Sequence, residues 1–206
     1  SLNEENRFFS VNSTKLYDEN YDTLISLDDI LLKGKHNLSN FIASATAAKI
    51  LKVNNKKIKK TMELFTGIKH RLQFVKNIGG SSYFNDSKAT NISSVIAAVK
   101  SFNAPIILLL GGKNKDSDFR LLLPHTKRHV KHIVSFGEAG GEIATAIGDA
   151  VRLDITSSLN QAVASAHKIA SPGDIILMSP GCASFDEFKN FEDRGEKFIK
   201  MVKELN

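Results

Sequence analysis

Four short clusters of polar and charged residues each follow directly on a run of apolar residues. They are NDSKAT (85–90) after SSYF, GGKNK (111–115) after IILLL, GE (137–138) after HIVSF and SPGCAS (179–184) after DIILM. In open α/β sheets, ligands bind in the crevice at the carboxyl ends of the strands. The four clusters therefore predict one ligand site that is assembled from several loops.

The side chains in these clusters suit an anionic ligand. Lys88 could neutralise a phosphate, and Lys115 on its tight loop could bind a carboxylate as a point charge. Thr90 lies where a helix is predicted to begin, so its hydroxyl could join an anion site with the backbone N–H groups. Ser184 could donate a hydrogen bond to the same ligand. Asp86 could accept one from a ribose hydroxyl or lie near a metal ion.

Each of these residues also has an ordinary structural interpretation. Thr90 or Asn91 could simply cap the following helix, and Asp86 could be a favourable charge near its positive end. Cys182 could act as a nucleophile, but no histidine is identifiable as its base, so a small buried thiol is the better interpretation. In the cluster after SSYF, four polar residues lie together at one strand end. Purely structural roles for all four are therefore less favoured than a role in binding a ligand.

Two polar sites precede these clusters in the chain. Asn37 and Asn40 are three residues apart at the start of a predicted helix. Asn37 is expected to be its N-cap, while Asn40 points the same way and could hydrogen-bond a base edge. Arg71 could bind a phosphate through its planar guanidinium, or His70 and Arg71 could cap the carbonyls of the preceding helix. The residues alone leave both alternatives open.

Segments that alternate between strand and helix periodicity predict the scaffold. LQFVKNI, a Gly-Gly turn and SSYFND are typical of a hairpin. Helices then alternate with the strands IILLL, HIVSF, VRL and DIILMS. We therefore expect an α/β fold with a six-stranded, mostly parallel sheet that carries one antiparallel strand and is covered on both faces. Residues 1–33 contain too little apolar material for a core of their own.

Composition narrows the function classes. The 206 residues include 28 Lys and Arg and 22 Asp and Glu, a net charge of +6. In and just after the dense basic run Lys52–Lys60, Ile58, Met62 and Phe65 fall at helical spacing, which favours a solvated helix face over a nucleic-acid surface. A net positive charge also suits anionic small substrates. The single cysteine indicates a reducing compartment, and we expect the cytoplasm, with no membrane segment.

Two nucleotide-binding signatures are missing from the sequence. It contains no G-x-x-x-x-G-K-[ST] loop, and no G-x-G-x-x-G with an acidic residue about 20 positions on. A stand-alone nucleotide- or NAD-binding module is therefore disfavoured, and no recognisable motif supports a nucleic-acid-binding protein.

Five motifs in fixed order resemble the Mur ligase family of peptidoglycan synthesis. They are GKHNLSN, HRLQFV, NDSKATN, LLLGGKNKDSDF and SPGCASFDEFKNFEDRG. The resemblance runs from about Gly34 to the end, and NDSKATN and CASFDEFKNFEDRG are similar to the members that add D-glutamate rather than L-alanine, diaminopimelate, lysine or a D-alanyl dipeptide. It implies that residues 1–67 are the tail of the central ATPase domain and 68–206 the Rossmann-like C-terminal domain.

The resemblance also implies a chemistry and a set of site residues. ATP with Mg²⁺ would phosphorylate the carboxylate of UDP-N-acetylmuramoyl-L-alanine, and the amine of D-glutamate would attack the acyl phosphate. Lys88 and Lys115 would be catalytic. The D-glutamate residues would be Thr90, Lys115, Ser184, Phe185 and Phe191, and the ATP residues Asn37 and Asn40 (adenine), Arg71 (phosphates) and Asp86 (ribose).

The departures from the family pattern carry expectations of their own. The phosphate loop, the modified lysine and acidic residues that hold magnesium, and the uridine-binding domain are not in these 206 residues. We therefore expect no metal site in this chain and no ATP hydrolysis by it alone. The alternatives are another Mur ligase or a separate nucleotide-binding module. The intact enzyme is expected to be a monomer that binds no nucleic acid.

Overall fold

The computed structural model describes residues 8–30 and 35–206, and the chain divides into two compact units, Ser1–Gly67 and Ile68–Asn206. The smaller unit has an antiparallel sheet of β1 (Phe9–Val11), β2 (Lys15–Asp18) and β3 (Thr23–Ser26). Two helices follow, α1 (Lys35–Ile50) and α2 (Asn55–Leu64).

The strands and helices of the smaller unit share one core. Its buried apolar side chains come from both kinds of element: Phe9, Leu16, Leu24, Ile25, Ile30, Ala45, Ile58 and Met62. The buried apolar side chains of residues 8–30 are therefore covered by helices that come later in the chain. The lysines around Ile58 and Met62 are exposed, so the interpretation of the basic run as a solvated helix face is confirmed.

The larger unit contains one six-stranded sheet. Its elements are β4 (Gln73–Ile78), β5 (Ser81–Asn85), α3 (Ile92–Lys100), β6 (Ile106–Gly111), α4 (Leu123–His129), β7 (Val130–Phe136), α5 (Gly140–Ile147), β8 (Leu153–Ile155), α6 (Leu159–Ile169), β9 (Ile175–Gly181) and α7 (Phe191–Glu204). The strand order is β4-β5-β9-β6-β7-β8, and only the pairing of β4 with β5 is antiparallel. The predicted sheet, including its antiparallel member, is confirmed.

Strand β6 shows why its sequence is apolar throughout. Every residue of Ile106–Gly111 is buried, with Leu108 and Leu110 in one core cluster and Ile107 and Leu109 in the other. A strand covered on both faces needs apolar side chains on both sides. The four parallel strands β5, β9, β6 and β7 are adjacent in this order, so the four polar clusters emerge side by side at one sheet edge.

No helix among residues 8–30 and 35–206 is both long and apolar enough to cross a bilayer.

Candidate functional site

Backbone hydrogen bonds join the loops that follow β5, β6 and β9 to one another. The N–H of Gly181, at the end of β9, donates to the carbonyl of Ala89 after β5 over 2.9 Å. Lys113, after β6, and Ala183 exchange two hydrogen bonds of 2.9 and 3.0 Å. Thr90, Ser184 and Lys115 lie one, one and two residues beyond these fastened positions. The loops that carry the three polar residues predicted to bind D-glutamate are therefore held together.

A glycine makes the contact between two of these loops possible. Gly112 has a φ of +120°, in the region that favours glycine, and a Cβ built on it would collide with the carbonyl oxygen of Ala183. A side chain at this position would push the loop after β6 away from the loop after β9. The close approach of Lys113 to Ala183 thus depends on Gly112.

Two hydroxyls at this edge have no hydrogen-bond partner in the described part of the chain. Asn91 caps α3, because its side chain accepts from the N–H of Ser94 over 2.9 Å, so the cap is not Thr90. Thr90 is exposed and its hydroxyl makes no hydrogen bond among described residues. Ser184 is only 2% exposed, and its hydroxyl likewise bonds to no described residue. Both hydroxyls are available to a ligand.

Two lysines at this edge lie over aromatic rings. The Nζ of Lys115 is 5.2 Å from the ring centroid of Phe185, and the Nζ of Lys88 is 5.1 Å from that of Phe191. Neither lysine has a carboxylate within ion-pair distance among described residues, whereas the neighbouring Lys113 pairs with a glutamate. A cation over a ring gains about 0.5–1 kcal/mol at exposed sites but keeps its charge. Both lysines can therefore still attract an anion.

Asp86 is buried and already hydrogen-bonded within the larger unit. Its carboxylate accepts from the N–H of Leu72 over 3.1 Å and from the hydroxyl of Ser179 over 2.8 Å. Burial raises the pKa of Asp86 to about 6, against the effect of these hydrogen bonds and of nearby Arg71. An ionised carboxylate has about four acceptor positions, so further donors can still bind. Arg71 is exposed beside it.

His70 fixes the segment that carries Arg71 to the larger unit. Its ring is buried, and Nδ1 lies 2.9 Å from Nδ2 of Asn85, which makes Nδ1 the acceptor and assigns the proton to Nε2. Burial lowers the pKa of His70 and favours this neutral form. A Cβ on Gly195 would collide with the ring. His70 therefore packs inside the larger unit, and the alternative that it caps the preceding helix is wrong.

The two asparagines predicted to contact adenine lie in the smaller unit. Helix α1 begins at Lys35, so Asn37 is its third residue, and the prediction that Asn37 is the N-cap is wrong. Asn37 and Asn40 are one helical turn apart on the same face. Arg71 and Asp86 belong to the larger unit. Within the larger unit, Arg71 is close enough to Asp86 for its charge to lower the pKa of that carboxyl group.

Three further observations concern this edge of the sheet and its surroundings. Cys182 is fully buried and burial raises its pKa to about 12, which agrees with an inert thiol. A cavity of about 860 Å³ lies beside the segment Asn114–Arg120 and helix α5, but Thr90, Lys115 and Ser184 are not among its lining residues. Within the described residues, no group of three or more His, Cys, Asp or Glu could hold a metal ion.

Arg194, in the first turn of α7, contacts two of the loops and was not predicted from the sequence. It is fully buried and hydrogen-bonds residues of the loops after β5 and β9. One signal was present in the sequence: Arg194 precedes Phe198 by four residues and Val202 by eight, so a basic residue lies on the apolar face of this helix.

The fold and its loops define a class: an α/β domain with a mostly parallel sheet that has lysines and hydroxyls at its carboxyl edge. Residues 70–182 match the family described as "Mur ligase, glutamate ligase domain". The chain belongs to this family.

Known proteins support the assignment. The UDP-N-acetylmuramoylalanine--D-glutamate ligase of Bacillus mycoides (strain KBAB4) is 42% identical over 187 residues, which are 89% of this chain and 41% of that protein. The chain therefore spans about two fifths of the length of the curated relatives it matches.

Two solved structures share the fold. MurF from Acinetobacter baumannii has a TM-score of 0.65 at 16% identity, over 92% of this chain and 42% of that one. E. coli FolC in complex with DHPP and ADP has a TM-score of 0.65 at 20% identity, over 95% and 46%.

Proposed function

We propose that the chain is part of an ATP-dependent ligase that joins D-glutamate to UDP-N-acetylmuramoyl-L-alanine in peptidoglycan synthesis. In this proposal the larger unit binds D-glutamate, and residues 1–67 are the tail of the central ATPase domain. The observation that carries the proposal is the convergence of three loops on which two lysines and two hydroxyls have no ion-pair or hydrogen-bond partner among residues 8–30 and 35–206. The name of the Bacillus mycoides relative supports the choice of substrate.

D-Glutamate is a dicarboxylate, and the three loops offer groups that suit it. Lys115, Thr90 and Ser184 would bind its two carboxylates, because cationic and hydroxyl donors give strong hydrogen bonds to ionised oxygens. Phe185 and Phe191 would form the walls of the pocket and hold the two lysines in place.

The reaction requires an amine to meet an activated carboxylate. The amine of D-glutamate would attack the carbonyl carbon of the acyl phosphate, giving a tetrahedral intermediate whose nitrogen loses a proton to water as the C–O bond to inorganic phosphate breaks, which leaves an amide. Negative charge is concentrated on the intermediate and on the departing phosphate. Lys88 and Lys115 would stabilise that charge as fixed cations, which is the main way in which such sites lower a barrier.

The same proposal assigns part of an ATP site to this chain. Arg71 would contact the phosphates and Asp86 a ribose hydroxyl. The N–H of Leu72, the residue after Arg71, donates to the carboxylate of Asp86, and the charge of Arg71 acts on the same carboxylate. The closeness of these two side chains supports placing them in one site. Asn37 and Asn40 would contact the adenine. E. coli FolC, which shares this fold, was solved in complex with ADP, and this supports a nucleotide site in the proposal. Magnesium is assigned to the rest of the enzyme, which would work as a cytoplasmic monomer without nucleic acid.

A chimeric ligase tests the proposed function. The aligned 187 residues of this chain would replace their counterpart in the Bacillus mycoides protein. We expect phosphate release and amide formation that require UDP-N-acetylmuramoyl-L-alanine and D-glutamate, with the unmodified Bacillus protein as the positive control. L-Glutamate, L-lysine and diaminopimelate should not replace D-glutamate. A preference for another amino acid would favour a sister ligase, and a folded but inactive chimera would contradict the proposal.

A further inference from the structure

Arg194 is a fully buried cation with no carboxylate partner among the described residues. Its side chain is 0% exposed, and its guanidinium makes four hydrogen bonds. Nε donates to the hydroxyl of Ser87 over 3.0 Å and Nη2 to the carbonyl of Ser87 over 2.9 Å. Nη1 donates to the carbonyls of Cys182 and Ala183 over 3.1 and 3.2 Å.

Burying the guanidinium of Arg194 costs free energy of folding, so its position calls for an explanation. Burying a charge without an opposite charge is unfavourable, and an apolar side chain of similar volume often gives a more stable protein. Burial lowers the pKa of Arg194 to about 10, which still leaves the guanidinium charged at neutral pH. The acceptors are mainly backbone carbonyls, and they belong to two different loops. The planar fork of arginine can reach both loops at once, which a lysine cannot do.

We propose that Arg194 is a positioning residue that sets the spacing of the loops forming the anion-binding edge. The loop after β5 is held at Ser87, three residues before Thr90, and the loop after β9 at Ala183, next to Ser184. Ala183 in turn pairs with Lys113, which places Lys115.

A second contact completes this network. The hydroxyl of Ser87 donates to the carbonyl of Phe191 over 2.7 Å, so the loop after β5 is also tied to the start of α7. Arg194 and Phe191 therefore approach Ser87 from the same helical turn. The ligand that the loops would hold, a dicarboxylate amino acid, rests on the proposed function; the role of Arg194 in ordering the loops does not.

Hydrogen exchange on the isotope-labelled 206-residue chain tests the ordering of the loops. The variants are Arg194→Lys, which keeps the charge, and Arg194→Met, which keeps the volume. Phe198→Leu is the matched control, because Phe198 is a buried residue of the same helix that packs in the core. In both Arg194 variants, the amides of Lys113, Gly181 and Ala183 should exchange about tenfold faster or more relative to the amides of β6.

The control separates a local effect from a general loss of stability. Phe198→Leu should speed exchange in β6 and in the loops together and leave their ratio as in the wild type. If the Arg194 variants also leave this ratio unchanged, the positioning role is overturned. Arg194→Lys alone decides the matter if Arg194→Met does not fold.

A D-glutamate titration of the same samples tests the consequence for the site. We expect the shifts of the Thr90, Lys115 and Ser184 amides that D-glutamate causes in the wild type and in Phe198→Leu to be lost in the Arg194 variants. Wild-type affinity in variants whose loops exchange faster would overturn the positioning role. If the wild type shows no shift, the proposed function fails, and the exchange ratio alone decides the role of Arg194.

Discussion

Replacing Lys115 by alanine in the chimeric ligase should raise the KM for D-glutamate by roughly 10- to 100-fold and the KM for ATP by less than about twofold. Lys115 lies on a loop fastened to the Ser184 loop, and its ammonium has no carboxylate partner among described residues. Its charge is thus available to a ligand, and its loss removes a charge-assisted contact. Initial rates measured at varied D-glutamate and at varied ATP would give both constants.

Lys113 provides the matched control for this variant. It lies two residues away on the same loop and is also exposed, but its Nζ is 3.7 Å from a carboxylate oxygen of Glu138. Lys113→Ala keeps the backbone pairing with Ala183 and should change the KM for D-glutamate by less than about threefold, since exposed ion pairs contribute little. Equal effects of Lys115→Ala on the two KM values would count against a direct contact with the amino acid.

Replacing Asp86 by asparagine should stabilise the 206-residue chain at neutral pH. The pKa of Asp86 is raised from an ordinary 3.8 to about 6, chiefly by burial. The folded state therefore binds the proton more tightly, and the stability that this group contributes is present in full below pH 3.8 and lost as the pH rises through about 6. A shift of one pKa unit corresponds to about 1.4 kcal/mol, so the free energy of unfolding falls by about 3 kcal/mol over this pH range.

Denaturant unfolding across this pH range measures the effect. Asp86→Asn should flatten the decline in unfolding free energy between pH 3.8 and about 6, because the asparagine keeps an acceptor for Leu72 and cannot ionise. Asp149→Asn is the control, because Asp149 is exposed, and it should leave the decline in unfolding free energy as in the wild type. In the chimeric ligase, Asp86→Asn should raise the KM for ATP and leave the KM for D-glutamate unchanged. A variant that is less stable than the wild type at neutral pH would refute the cost assigned to this buried carboxylate.

The two variants illustrate which parts of the molecule the sequence predicts. Lys115 and Ser184 follow apolar strands, and the carboxyl ends of neighbouring parallel strands meet at one edge, so local pattern and a general topological rule suffice to place them. The strands themselves are predictable because β6 is apolar throughout and the hairpin has its Gly-Gly turn. The alternation of strands and helices then gives the mostly parallel sheet.

Contacts between distant segments are the part that local pattern does not give. Arg194 meets Ser87 across more than a hundred residues, and Asp86 meets Ser179 in a similar way. The sequence marks Arg194 only as a basic residue on an apolar helix face and Asp86 only as a polar residue at a strand end, and it does not identify the partners of either. The error at Asn37 has a different origin: helix α1 begins at Lys35, three residues before the Leu38 start that an Asn37 cap implies, and helix ends are the least reliable part of a prediction from sequence.

The place where D-glutamate binds on this chain is the most direct test of the central claim. Isotope-labelled protein would be titrated with D-glutamate and, as the matched control, with L-glutamate, while the amide shifts are followed. We predict shifts at Thr90, Lys115 and Ser184 that saturate with D-glutamate and are weaker with L-glutamate. Shifts confined to the cavity beside α5, or no shift at any of the three residues, would contradict a site built from these loops.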